Sequence, residues 1–317
     1  MLPRQPVLDP AAAYPRITGL REALDSGDWP ACREVLDAAE PAERTFLTMI
    51  AFDEAGLEDF LRGVLSGDPG DGAAGALLGQ HLIGAAWRIR TTAPAEQVSR
   101  ERFTAFTSGL GAAERVLLDA AARSPRDPAI WTARLITARG LELGRSEARR
   151  RYRRLAGIDP HHLPGQWQLL QQLCPKSGGD WELAHAFARE VTEAAPPGSF
   201  NPVLVAEAHL EHWREQHGRS AAAGRRYLAA GGVRDELHEA ARRSVWHPDF
   251  RRAHGWVRVM STFAMAFALI DDHRAAASLF TELGDLSSDR PWDYLGDPGS
   301  VIIKYRSRAL RAGGDGT

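Results

Sequence analysis

Apolar residues recur at helical spacing along almost the whole chain, and no stretch alternates strictly between apolar and polar residues as a half-buried strand would. This periodicity predicts an all-α protein. From residue 112 onward the pattern becomes regular, with a helix, a turn, a second helix and a proline-containing loop in succession. The succession predicts stacked helical hairpins, because a single hairpin leaves one face of each helix bare. The predicted helices include 16–26, 29–39, 43–54, 73–90, 112–123, 146–156, 201–215 and 259–270, with a break at 91–94.

Two spacings give the period of these hairpins. Pro128 and Pro160 occupy matching loops 32 residues apart, and Tyr152 and Phe187 occupy matching helix positions 35 residues apart. These values bracket the period of about 34 residues of tetratricopeptide repeats. Trp131 and the small–aromatic pair Ala148-x-x-x-Tyr152 resemble that signature, and Ala276-x-x-x-Phe280 repeats the pair. We therefore expect a superhelix of tetratricopeptide-like hairpins.

A second resemblance covers about two thirds of the chain. The stretches 129–141, 159–162, 173–180, 187–190, 196–199 and 207–213 resemble a family of uncharacterised bacterial helical-repeat proteins with a Lys-Trp-Gly-Gly-Ser segment. Here the segment is Lys-Ser-Gly-Gly-Asp over 176–180, so this chain lacks the family's tryptophan. The resemblance implies a fold and no reaction.

Stacked hairpins share a continuous core and need no domain boundary. We expect an irregular segment over 1–15 and one helical-repeat domain over 16–311, followed by a flexible tail over 312–317. Within the domain, 16–95 is less regular and 108–285 carries the most regular hairpins.

Composition excludes several classes of protein. The chain has 39 basic and 41 acidic residues and a formal charge of −2, so nucleic acid and membrane surfaces are not expected partners. The N-terminus has no apolar run typical of a signal peptide, and the apolar stretch 259–270 is too short to cross a bilayer. Cys32 and Cys174 are far apart and imply no disulfide framework. These features indicate a cytoplasmic protein.

The segment from Lys176 to Asp180 is one candidate binding site. Gly178 and Gly179 beside a lysine at a helix start could hold a phosphate or carboxylate on exposed N–H groups. The alternative is that Asp180 caps the helix while the glycines form the turn. No P-loop pattern is present, and the capping interpretation is favoured.

The helix over 201–215 is the second candidate. His209 and His212 are three residues apart and can point the same way, which suits two ligands of a metal ion. No third ligand is identifiable from the sequence, so a hydrogen-bonded histidine at the edge of the apolar stripe that includes Trp213 is favoured. His161, His162 and Cys174 could similarly form a metal set, but the favoured interpretation is that they start and end one helix.

Five arginines crowd the helix over 146–156, at positions 149, 150, 151, 153 and 154. They can bind an acidic partner or a nucleic-acid backbone, but a solvated outer face is the favoured interpretation. No nucleophile elbow, kinase signature or deaminase signature is present, so no catalytic residue is assigned.

Two hypotheses for function follow. The leading one is a non-enzymatic scaffold whose concave helical surface binds a protein or peptide, because repeat architectures form such surfaces. The alternative is a small-molecule-binding or biosynthetic accessory protein whose pocket lies near the Lys176 loop and the His209 helix. We expect no cofactor and no metal. The candidate binding residues are Trp167, Lys176, Gly178, Gly179, His209 and Trp213.

Overall fold

The computed structural model describes residues 5–90 and 99–314, and over these residues the chain is all-α, as predicted. Its only β-type pairing within the described residues is an isolated bridge between Val7 and Leu286. The α-helices are α1 Pro15–Ser26, α2 Trp29–Asp37, α3 Pro41–Thr48, α4 Glu58–Gly67, α5 Gly72–Arg90, α6 Arg100–Arg123, α7 Pro128–Gly140, α8 Gly144–Ala156, α9 Leu163–Leu173, α10 Trp181–Ala194, α11 Val203–Arg219, α12 Ala221–Leu228, α13 Val233–Arg243, α14 Trp256–Leu269, α15 His273–Leu283 and α16 Pro298–Gly314.

Most predicted helices agree with the structure to within a few residues, and two of them differ more. The helix predicted over 43–54 is a shorter α3 followed by a 3₁₀ turn over Met49–Phe52. Helix α6 begins 12 residues before the predicted start at 112. The structure also has α4, α12, α13 and α16, for which the sequence analysis predicts no helix. The predicted break at 91–94 and the last three residues of the predicted tail lie outside the described residues.

The chain divides into two compact units. The first unit is Pro15–Gly179 and contains α1 to α9. The second unit is Met1–Tyr14 together with Asp180–Thr317, and contains α10 to α16. A superhelical arrangement of the hairpins stays a prediction.

Helix α5 is the buried centre of the first unit, and α6 packs along it. Glycines make this close packing possible. A Cβ at Gly84 would lie 1.8 Å from the carbonyl oxygen of Phe52, and one at Gly79 would lie 2.3 Å from Leu117 Cδ2. The small residues of α5 therefore allow neighbouring backbone and side chains to pack closely against this helix.

A buried ion cluster joins α6, α7 and α8 of the first unit. Glu114 on α6 accepts hydrogen bonds from Arg134 Nη2 at 2.9 Å and from Arg151 Nη1 at 3.0 Å. The Arg134 and Arg151 side chains are only 6% and 3% exposed. The prediction that the α8 arginines form a solvated face is therefore wrong for Arg151, which lies one turn from Glu147 on the inner side of α8 and pairs with it as well.

The second unit is built around α14, whose predicted buried stretch is confirmed. Helices α11, α13 and α15 pack against α14, and the pair Ala276 and Phe280 is buried at the α15 contact. The N-terminal segment belongs to this unit, because Tyr14 stacks on His254 with ring centroids 4.1 Å apart. No helix within residues 5–90 and 99–314 has the length and hydropathy to span a membrane.

Candidate functional site

The predicted Lys176 loop lies at the end of the first unit as a 3₁₀ turn over Pro175–Ser177. Lys176 is exposed, and Gly178 takes the left-handed conformation at φ +81°. A Cβ at Gly179 would lie 1.9 Å from the Leu173 carbonyl oxygen. Both glycines are therefore required by the turn itself, which is the structural role weighed from the sequence.

The other predicted residues are placed as follows. Trp167 is buried on α9 and meets Phe46 edge-on, with ring centroids 5.9 Å apart. Trp213 is buried on α11 in the second unit, with its ring centroid 4.9 Å from that of His217. His209 lies one turn earlier on the same helix and is 4% exposed. The Lys176 loop and the His209 helix thus belong to different units.

His209 is the centre of a polar cluster that four helices of the second unit form together. Its Nε2 lies 3.2 Å from Glu236 Oε2 on α13, and its Nδ1 lies 2.7 Å from the hydroxyl of Tyr227 on α12. The Tyr227 hydroxyl lies 3.3 Å from Nε2 of His185 on α10. We call His185, His209, Tyr227 and Glu236 the histidine cluster.

Local helix chemistry positions each member of the histidine cluster. Asp180 caps α10 by accepting from the Leu183 N–H at 2.8 Å, which sets His185 in the second turn of that helix. Ser220 caps α12 by accepting from the Ala223 N–H at 3.0 Å, which sets Tyr227 near the end of α12. Glu236 lies in the first turn of α13, where the helix dipole favours a carboxylate.

Three further side chains surround the histidine cluster. His212 Nδ1 lies 3.2 Å from His185 Nε2, and the indole of Trp181 stacks on the His212 ring at 4.3 Å with an interplanar angle of 2°. Arg189 donates to Glu236 Oε1 at 3.0 Å, which leaves Oε2 facing His209. The Glu236 side chain is 33% exposed, so the cluster is accessible to solvent ions on that side.

Burial and charge set the protonation states in the cluster. Burial, followed by the nearby His209 and His212, lowers the pKa of His185 to about 3. Burial lowers the pKa of His212 to about 4. The hydrogen bond from His209, assisted by Arg189, lowers the pKa of Glu236 to about 2. At neutral pH His185 therefore offers a neutral imidazole near the ionised carboxylate of Glu236, and these are the forms in which the two groups bind a metal ion.

Three members of the histidine cluster have the spacing of a metal centre. His185, His209 and Glu236 each offer one ligand atom, and these atoms all lie within 4.8 Å of one another. In a tetrahedral zinc site with bonds of about 2.0–2.1 Å, neighbouring ligand atoms are about 3.3 Å apart. The 3.2 Å separation of His209 Nε2 and Glu236 Oε2 already matches that distance. The other separations are within 4.8 Å, so a tetrahedral site would require the partly exposed Glu236 and His185 side chains to rotate toward the ion.

Sequence reasoning found only one of these three ligands. It paired His209 with His212, whereas the structure pairs His209 with Glu236, 27 residues later, and turns His212 toward His185. Histidines and an acid on three separate helices form no short motif. The available signal was the three histidines of α11, namely His209, His212 and His217, but nothing in the sequence connects them with His185 on α10. His162, the member of the alternative set, instead lies 3.2 Å from Asp159 Oδ2.

The opposite side of α11 holds a second buried polar group. Glu207 and Glu211 are both about 3% exposed, and Arg258 donates to Glu207 at 3.3 Å. Tyr294 donates to Glu211 Oε1 at 2.8 Å. Burial raises the pKa of Glu207, although Arg258 opposes this effect. The Tyr294 contact joins the 3₁₀ segment Trp292–Leu295 to α11, and the Arg258 contact joins α14 to α11.

A surface cleft of about 560 Å³ is a further candidate site in the second unit. Trp246 on its wall stacks on Phe267 at 5.1 Å, and Arg252 pairs with Glu282 at 2.6 Å on its rim. The lining combines aromatic and aliphatic side chains with charged ones, namely Val245, Trp246, His247, Phe250, Arg252, Met260, Ser278, Leu279, Thr281 and Glu282.

Comparison of the chain with protein-family models, with curated proteins and with solved structures gave no match.

Proposed function

We propose that the chain is a metal-binding protein that holds one divalent transition-metal ion between His185, His209 and Glu236. The observation that carries this proposal is the convergence of three ligand atoms within 4.8 Å at the meeting point of α10, α11 and α13. It develops the alternative hypothesis of a ligand bound at the His209 helix, with a metal ion as the ligand.

The donor set indicates which ions are suitable. Two imidazoles and one carboxylate suit Zn²⁺, Co²⁺ or Ni²⁺, whereas Ca²⁺ and Mg²⁺ prefer oxygen ligands alone. Three protein ligands leave a fourth tetrahedral position for water, as in catalytic zinc sites. A site of this kind can polarise a bound carbonyl or activate the bound water.

Calorimetric titration of untagged, chelator-treated full-length protein with ZnCl₂ tests the proposal. We expect one ion per chain in the wild type and a loss of at least tenfold in affinity in His209→Asn and in Glu236→Gln. His247→Asn is the matched control, because His247 is part-exposed and lies outside the cluster. Circular dichroism verifies that each variant is folded. Absence of stoichiometric binding, or equal affinity in His209→Asn and His247→Asn, would refute the proposal.

Binding of a protein or peptide partner is a second proposed function, and the aromatic cleft favours it. Interface hot spots are enriched in tryptophan and other aromatic residues, and Trp246 and Phe250 are both only partly buried in the cleft wall. The occupant we propose is a segment that inserts an apolar side chain beside the Arg252–Glu282 pair. This surface requires no metal, so the two functions are separable.

Selection from a displayed peptide library tests this second function. We expect peptides with an apolar anchor to bind the wild type and to lose binding when the cleft is blocked by Thr281→Arg. Thr107→Arg, on an exposed position of α6, is the control and should leave binding unchanged. A selection without enriched peptides, or peptides that bind both variants equally, would contradict cleft binding.

A further inference from the structure

Helix α8 concentrates positive charge in a chain whose total charge is slightly negative. Six of its 13 residues are arginine and one is glutamate, so Gly144–Ala156 carries a formal charge of +5. The whole chain carries −2, which leaves −7 for the residues outside this helix. The positive charge is therefore a local feature of α8 and not a property of the whole surface.

The packing of α8 separates its arginines into two groups. Ala148, Arg151 and Leu155 form the buried side, where Arg151 pairs with Glu114 at 2.9 Å. The other five arginines are exposed, at positions 145, 149, 150, 153 and 154. They line the outer side of the helix for about 14 Å along its axis. We call these five residues the arginine face.

The chain supplies few acids to the arginine face. Glu147, the only acid of α8, is already held by two arginines of the same helix at 2.6 and 2.7 Å. In the described part of the chain, no ion pair joins Arg149, Arg153 or Arg154 to a carboxylate. Arg62 on α4, in comparison, pairs at 2.8 Å with an acid one turn away. Three guanidinium groups therefore keep their donors for an anion from outside the chain.

The spacing of the arginine face suits an acidic helix. Arg145, Arg149 and Arg153 follow one another at four-residue steps, each of which advances about 6 Å along the axis. A second helix with an acid at every fourth residue presents its carboxylates at the same step. Guanidinium groups bind carboxylates through two parallel hydrogen bonds, so each matched pair also fixes the register of the two helices.

The charge of the other residues favours a short segment over an extended polyanion. At 0.1 M salt charges act over about 10 Å, so a nucleic acid or a membrane that extends past α8 also meets the acids of the neighbouring surface. Residues outside α8 have a net charge of −7, which repels such a polyanion. A partner helix that contacts α8 alone avoids this repulsion.

We propose that the arginine face of α8 is a docking surface for an acidic helix of a partner protein, whose carboxylates pair with Arg145, Arg149 and Arg153. The surface belongs to the first unit. It requires neither the proposed metal ion nor the aromatic cleft, so it stands or falls independently of both.

Fluorescence anisotropy of two labelled peptides, titrated with full-length protein in the presence of a chelator, tests the proposal. Both are helical peptides of about 20 residues with the same composition. The row peptide has a glutamate at every fourth position on one face, and the scrambled peptide has its glutamates around the helix. We expect the row peptide to bind the wild type at least about fivefold more tightly at low salt, and its affinity to fall as salt rises.

Two double variants locate the binding. Arg149→Gln/Arg153→Gln should bind the row peptide about tenfold more weakly than the wild type. Arg225→Gln/Arg226→Gln is the matched control, because it removes the same charge from exposed positions of α12 and should change the affinity less than about twofold. Circular dichroism verifies that both variants are folded.

Three results would overturn the proposal. One is equal affinity for the row and scrambled peptides, and another is an equal effect of the two double variants. The third is tighter binding of a single-stranded oligonucleotide of the same charge that Arg149→Gln/Arg153→Gln weakens, which would assign the arginine face to nucleic acid.

Discussion

The buried ion cluster of the first unit provides a stability prediction whose magnitude follows from its contacts. Glu114→Gln keeps the shape of the side chain but removes the negative charge that two guanidinium groups share. Arg134 and Arg151 are 6% and 3% exposed, so water cannot replace that charge. Breaking a buried ion pair from one side costs about 3–5 kcal/mol. Glu147 still pairs with Arg151 at 2.7 Å, so we expect a loss near the lower end, about 3 kcal/mol.

Hydrogen–deuterium exchange measured on peptides from α7 tests this prediction, because it reports the opening free energy of the first unit separately from the second. The matched control is Glu58→Gln. Glu58 pairs with Arg62 at 2.8 Å on α4, but both side chains are more than 40% exposed, so we expect a change below about 1 kcal/mol. Equal effects of Glu114→Gln and Glu58→Gln would refute the argument that burial determines the strength of the cluster.

Two further predictions concern the first unit. Hydrogen bonds from Arg150 and Arg151 lower the pKa of Glu147 to about 2 from an ordinary value near 4.5. The stabilising effect of the ionised Glu147 is therefore fully present above pH 4.5 and is lost as the pH falls toward 2. The stability difference between wild type and Glu147→Gln in urea titrations should shrink across that window, and a constant difference would contradict it. Gly84→Ala should destabilise the protein by about 1–3 kcal/mol, because its Cβ meets the Phe52 carbonyl. Gly111→Ala should stabilise it slightly in thermal melts, because a Cβ there would meet only Arg115 Nη1 at an ordinary contact distance of 3.8 Å. The same sign for both would contradict the packing argument.

The sequence predicted the helices well because apolar spacing and capping residues are local signals. Asp180 is an example, because its side chain accepts a hydrogen bond from the Leu183 N–H at the start of α10. A capping aspartate of this kind can be recognised from the few residues around it. Buried charge could not be predicted in the same way. Arg151 looks like the other arginines of α8, and only the position of Glu114, 37 residues earlier, makes it an interior residue.

The histidine cluster shows the same limit at the site. His209 was a candidate because it lies near His212 in the sequence, but its ligand partners come from α10 and α13. Which face of one helix meets which face of another depends on crossing angles that no short pattern encodes. Tyr227 was not a candidate at all, because a tyrosine at the end of a short amphipathic helix is typical of packing.

Anomalous diffraction at the zinc edge from crystals of the untagged protein grown with ZnCl₂ tests the central claim most directly. The account predicts one strong peak in the second unit, about 2.0–2.2 Å from a nitrogen of His185, Nε2 of His209 and a carboxylate oxygen of Glu236. Absence of a peak there, or zinc bound only at other positions, would contradict it.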